Sequence, residues 1–175
     1  MSKIDYNRLF IESLKKHKNN PKWDKGNFIG IKTVSNTKVG SVGQDFIESL
    51  CDTLSIKCIF PLKKNGERAT QSPWDIEING VKFELKTATE DTSGSFQFNH
   101  IRYHRKYDAV LCLGVTPNKL HFGIWSKAEV STGKAGGLVS MEKGANASYK
   151  LTKKPITLMP IANFEKEMKE FTHNF

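Results

Sequence analysis

Long apolar runs are missing from this chain of 175 residues. No stretch approaches the roughly twenty apolar residues that a membrane-spanning helix needs. The opening Met-Ser-Lys-Ile-Asp-Tyr carries no apolar core of a secretory leader. A soluble, cytoplasmic protein with no membrane partner is therefore expected. Cysteine is scarce as well. Cys51, Cys58 and Cys112 form no Cys-x-x-Cys pair, and any disulfide would leave one of them over, which argues against a disulfide framework. Cys51 falls in a helical pattern and Cys112 in an apolar run, so both read as small buried hydrophobes. Internal repeats and a convincing linker are also absent, and the length suits one domain.

Positive charge is what the chain has in excess. Lys and Arg number 27 against 18 Asp and Glu, a formal net charge of +9. That balance fits a polyanionic partner, because side chains that neutralise phosphates release counterions. It also fits an ordinary basic protein, so composition alone does not choose.

Apolar spacing predicts a helix over residues 4–18, with Tyr6, Leu9, Phe10 and Leu14 on one face. A polar stretch reaches Val39, and a second amphipathic helix starts near Ser41, where Val42, Phe46, Leu50 and Leu54 share a face with Ile47 and Cys51. Strands are expected over 56–62, 107–115 and 120–125, the second a near-continuous apolar run of the kind covered on both faces. Residues 96–106 read as a short, mostly polar helix, and 127–150 as a long Gly-, Lys- and Ser-rich loop. A short strand near 156–159 and a terminal helix with Phe164, Met168 and Phe171 close the chain. The expected organisation is one domain: an extension over 1–40, a core over 41–127 and a loop-rich part over 128–175.

Residues 74–87 carry the most information. Asn79-Gly80 between alternating residues is a strong hairpin signal, since a type I′ turn needs positive φ at both central positions. A two-residue loop fixes the register: Ile78 opposes Val81, Glu77 opposes Lys82, Ile76 opposes Phe83, and Asp75 opposes Glu84. Side chains alternate faces, so Asp75, Glu77, Lys82, Glu84 and Lys86 share one side. Directly opposed residues have Cβ atoms about 4.5–5.5 Å apart. Two carboxylates at that distance repel unless a cation sits with them, and a hard ion such as Mg²⁺ takes oxygen ligands. Lys86, two residues on, can orient a water and stabilise charge building on phosphate. The same residues also suit the solvent face of a charged hairpin, and Glu77 with Lys82 reads as such a pair.

Context extends the pattern. A helix bearing Glu48 precedes the hairpin, and a polar basic segment and an apolar strand follow it. This order, with Pro73-Trp74-Asp75 and Glu84-Leu85-Lys86, resembles the PD-(D/E)xK nuclease superfamily. In Phe96-Gln97-Phe98-Asn99-His100-Ile101-Arg102 and Tyr107-Asp108, the stretch from Gly43 to Lys127 is similar to small type II restriction endonucleases. The proline departs from the motif, since Trp74 separates it from Asp75. The resemblance implies an α/β fold with a restriction-endonuclease-like core, a central mixed β-sheet flanked by helices. It implies Mg²⁺-dependent, site-specific hydrolysis of double-stranded DNA by a homodimer, and leaves room for a cognate DNA methyltransferase acting separately. Asp75 and Glu84 would be metal ligands with the Leu85 carbonyl as a third, and Lys86 would position the attacking water. Glu48 would match the first-helix acid, with Asp45 as its competitor, and Gln97 the glutamine that borders the site.

Asn99, His100, Arg102 and Arg105 are candidate DNA contacts, because Arg and Asn pair bidentately with bases and Arg also binds phosphate. Lys134 and Lys143 are further candidates in the 127–150 loop. His100 and His104 are four apart, yet no nearby Cys or Glu completes a zinc set. A junction-resolving or repair nuclease, or a silent DNA-binding module, are the rival functions.

Overall fold

The computed structural model describes residues 23–69 and 71–175. The helix expected over 4–18 lies outside them.

The architecture is α/β. A six-stranded mixed sheet has the order β1 (Cys58–Ile59), β2 (Ile76–Ile78), β3 (Val81–Thr89), β5 (Ala109–Val115), β6 (Leu120–Ser126), β9 (Met159–Pro160). All its neighbours run antiparallel except β3 and β5, which are parallel from Phe83↔Ala109 to Thr89↔Val115. A second sheet of three strands, β4 (Phe96–Arg102), β8 (Ser148–Lys153) and β7 (Leu138–Ser140), is built between and after these. Among the described residues the α-helices are α1 (Asn36–Thr53), α2 (Lys127–Ser131) and α3 (Phe164–His173), accompanied by three short 3-10 turns.

Two apolar clusters cover the faces of the central sheet. On one side Ile47 and Cys51 of α1 and Phe164 and Met168 of α3 pack with Ile76, Ile78, Val81, Phe83, Leu85 and Leu111. On the other, Phe96, Phe98, Ile101 and Leu151 of the small sheet and Val130 of α2 meet Ala88, Val110 and Cys112. β5 is buried along its whole length, as its unbroken apolar run requires. The cysteines are free thiols, with Cys51 and Cys112 buried. No helix among the described residues is long and apolar enough to cross a membrane.

The hairpin has the expected register: Ile76↔Phe83, Glu77↔Lys82 and Ile78↔Val81. Asn79 at φ 50° and Gly80 at φ 89° make the turn, the two positive values that a type I′ turn demands. Four other expectations are corrected. Residues 96–102 form a strand rather than a helix, with Phe96, Phe98 and Ile101 all fully buried. The register slips between Phe98 and Ile101, and this bulge inserts one residue that resets the two-residue alternation. The 127–150 segment is not one loop. Ser126 and Glu129 form a reciprocal capping box that starts α2, and β7 and β8 follow. Regular strand near 56–62 shrinks to Cys58–Ile59. Finally, α1 begins at Asn36 after the N-cap Ser35, one and a half turns earlier than Ser41.

A glycine sets how closely α1 lies on the sheet. A Cβ at Gly43 would stand 1.8 Å from the Thr87 hydroxyl of β3, so only hydrogen permits this approach.

Candidate active site

β2 pairs with β3 only as far as Phe83, whereas β5 continues alongside to Thr89. Beyond Glu84, then, one edge of β3 borders no strand of the sheet. A cleft of about 630 Å³ opens there. Its walls are the first turns of α1 (Asn36, Thr37, Gly40, Ser41, Gln44), β3 from Leu85 to Thr89, the Asp91 turn, and Gln97, Asn99 and His100 of β4. Asp75 and Lys86 line it as well.

Asp75 takes its place through the backbone. Its N–H donates to the Phe83 carbonyl at 2.9 Å, and its Oδ2 accepts the Leu85 N–H at 2.9 Å. The side chain thus caps the strand edge that β2 leaves open. Glu84 points to the same side and is fully buried. Lys86 Nζ stands 2.6 Å from Glu84 Oε1 and 4.0 Å from Asp75 Oδ2. Arg105 Nη1 sits 3.6 Å from Asp75 Oδ1 and 3.6 Å from Glu84 Oε2. Two carboxylates therefore share two cations, and the cluster is neutral as a whole. Neither Glu84 oxygen receives a hydrogen bond of good geometry, despite the close lysine. Burial, followed by the Glu84 charge, pushes the Asp75 carboxyl above its usual range, while Lys86, the Leu85 N–H and Arg105 pull it back.

Lys127 braces the arginine. Its Nζ donates to the Arg105 carbonyl at 2.6 Å and lies over the Tyr107 and Tyr103 rings, 4.4 and 5.0 Å from their centroids. Tyr103 donates in turn to the Lys127 carbonyl at 3.1 Å. Elsewhere in the cleft lining Gln97 Nε2 donates to Asp91 Oδ2 at 2.9 Å. Asp91 also accepts from the Ser93 hydroxyl and N–H and from the Ser95 N–H, which holds its carboxyl down at about 2. The β4 bulge puts Asn99 and His100 on the cleft surface, with His100 at φ 58°.

Not every expected residue converges here. Glu48 lies outside the cleft lining; it pairs with Arg68, which also holds Asp45 at 3.0 Å. Gln44, one turn earlier, lines the cleft together with Asn36, Thr37 and Ser41. Lys134 is paired with Glu129 of α2, and Lys143 is exposed between β7 and β8. Arg102 is exposed at the end of β4. Arg105 belongs with the carboxylates. Gln44 and the first turn of α1 were not singled out from sequence, although Ser35-Asn36 ahead of Val39 is a helix-start signal.

The donor set fits a hard divalent cation. Two carboxylates stand close together, one of them buried with both oxygens lacking directed bonds, and a guanidinium already lies between them. Among the described residues no three His, Cys, Asp or Glu side chains group around one point. The Leu85 carbonyl, water and a bound phosphate would have to complete the shell, which is the usual habit of Mg²⁺.

No protein-family model and no curated protein matches the chain. Among solved structures, a bacterial homing endonuclease is similar over 69% of this chain and 75% of its own, with a TM-score of 0.41 and 14% identity. A likeness of that degree carries no argument about activity, which has to be reasoned from the residues.

Proposed function

We propose that the protein is a Mg²⁺-dependent endonuclease of the PD-(D/E)xK kind, cutting double-stranded DNA by phosphodiester hydrolysis. One observation supports the reading: Asp75, which lines the polar cleft, and the fully buried Glu84 gather around the same two cations, Lys86 and Arg105. Lys86 and Arg105 balance the charge of the two carboxylates, but both Glu84 oxygens stay buried without a directed hydrogen bond, a desolvation cost that a bound cation would offset.

Asp75, Glu84 and the Leu85 carbonyl would hold the ion. Bound Mg²⁺ would supply Lewis acidity to a phosphoryl oxygen and a lowered pKa to a coordinated water. Lys86 is placed to orient a water against the scissile phosphorus and to stabilise charge as it builds. The first turn of α1 offers backbone N–H groups unsatisfied by any capping side chain, a favourable wall for phosphate. Asn99 and His100, lifted by the bulge, are the groups we assign to base edges, and Gln97 with Asp91 would border the strand. Cutting both strands at a short palindrome suits a two-fold homodimer with one site per strand, the arrangement of a type II restriction enzyme.

The test is incubation of the full chain with plasmid DNA and Mg²⁺. Discrete fragments are expected. Random nicking, or cleavage confined to four-way junctions, would replace the restriction reading with a repair or resolving enzyme. Intact DNA bound by the protein would leave a non-catalytic module instead.

A further inference from the structure

We infer that Arg105 is an exchangeable counterion: its guanidinium keeps the divalent-cation place between Asp75 and Glu84 and turns to DNA phosphate when the ion arrives. The inference rests on reading these two carboxylates as the metal ligands.

A guanidinium built to stay with carboxylates makes parallel N–H···O bonds of about 2.7–2.9 Å. Arg105 Nη1 instead stands 3.6 Å from each carboxylate, beyond hydrogen-bond reach. Both Glu84 oxygens remain without a hydrogen bond. The group thus supplies charge to the pair without directed bonding, and the arrangement loses few specific bonds when another cation takes over. What holds Arg105 is its backbone. Its N–H donates to the Arg102 carbonyl at 3.1 Å and its carbonyl accepts from Lys127 Nζ at 2.6 Å. The backbone is pinned at both ends, whereas the guanidinium, 16% exposed, has among the described residues only the two 3.6 Å ion pairs to hold it.

Charge balance gives the direction. With Lys86 and Arg105 the pair of carboxylates is already neutralised, so adding a divalent ion makes the cluster strongly positive unless one cation leaves. Lys86 is the closer and tighter of the two, at 2.6 Å from Glu84; Arg105 is the one that yields. A phosphate in the cleft lined by Asp75, whose carboxylate is 3.6 Å from Arg105 Nη1, is the anion of the right chemistry to receive it, since Arg binds phosphate bidentately. Metal and DNA then favour one another through one side chain.

Isothermal titration of the full chain with Mn²⁺ tests this. Without DNA, Arg105→Met is expected to bind Mn²⁺ at least about tenfold more tightly than wild type, within the usual range for coupled sites. Arg105→Lys stays near wild type, and Asp75→Asn with Glu84→Gln abolishes binding. A short phosphorothioate duplex tightens Mn²⁺ binding by wild type but not by Arg105→Met. Unchanged or weaker binding by a folded Arg105→Met protein overturns the inference, and Arg105→Gln serves if the Met variant does not fold. Absence of Mn²⁺ binding in every variant overturns both this inference and the metal site. Tighter binding by Arg105→Met, with DNA left uncut by wild type, sinks DNA hydrolysis alone.

Discussion

Replacing Gly43 by Ala tests whether the cleft is set by the approach of α1 to β3. The added Cβ would lie 1.8 Å from Thr87 Oγ1, 2.9 Å from Thr87 Cβ and 3.1 Å from its methyl. An ordinary contact begins near 3.4 Å, so Thr87 must turn its hydroxyl away and helix and strand must still part by roughly 0.5 Å at the Cβ, in the range where overpacking costs about 1–3 kcal/mol. For a protein of this size that corresponds to a fall in Tm of very roughly 2–12 °C. The Thr87 hydroxyl is buried without a hydrogen-bond partner, so Thr87→Ala alone should be nearly neutral. The double variant removes the 1.8 and 3.1 Å clashes but keeps the one at 2.9 Å, and should recover part of the loss. Urea denaturation of the four proteins gives the coupling directly. A Gly43→Ala protein as stable as wild type, or a double variant no better than the single, would refute the argument. Because the preceding turns of α1 wall the cleft, the same substitution should weaken DNA binding.

Lys86→Ala should lower cleavage by about a hundredfold or more, the scale of losing one preorganised charge-stabilising group, while electrophoretic shift shows DNA still bound; full-rate cleavage would remove Lys86 from its role. Asp75 binds its proton more tightly than usual, so its contribution to metal-free stability is present below about pH 3.9, the ordinary Asp value, and is lost as pH rises through the elevated value. Mn²⁺ needs the ionised form, so its binding should weaken on acidification earlier than an ordinary Asp would dictate; titration across pH checks this. Asp91 has the opposite sign. Its contribution is present above about pH 3.9 and lost as pH falls towards about 2, so Asp91→Asn should flatten the acid limb of a stability–pH curve.

Local signals were legible where one short segment decided the outcome. Asn79-Gly80 dictated the register from Ile76↔Phe83 to Ile78↔Val81, because a two-residue turn leaves no freedom; Asp75, one residue past the last pair, instead caps the Leu85 N–H with its side chain. β5 was equally plain from its apolar run. β4 was misread because the bulge at Asn99 and His100 breaks the alternation that marks a strand, and the sequence holds no Gly or Pro to announce it. The capping box of Ser126 and Glu129 is a readable helix start, but the Gly-rich stretch that follows it hides so short a helix. Contacts between distant segments left no local trace. Arg68 lies 20 residues from Glu48 and claims it away from the cleft. Arg105 is 21 residues beyond Glu84 by its number, and nothing in its own neighbourhood marks it as a partner of that carboxylate rather than a DNA contact.

The central claim is that Asp75 and Glu84 hold the ion with which this protein cuts DNA. Cleavage of plasmid by wild type and by Glu84→Gln, each matched for DNA occupancy and titrated with Mg²⁺, tests it most directly. Wild type should begin to cut only as Mg²⁺ is added, and Glu84→Gln should not cut at any Mg²⁺ concentration. Equal cutting by the two proteins, or cutting by wild type that ignores chelation, would contradict it.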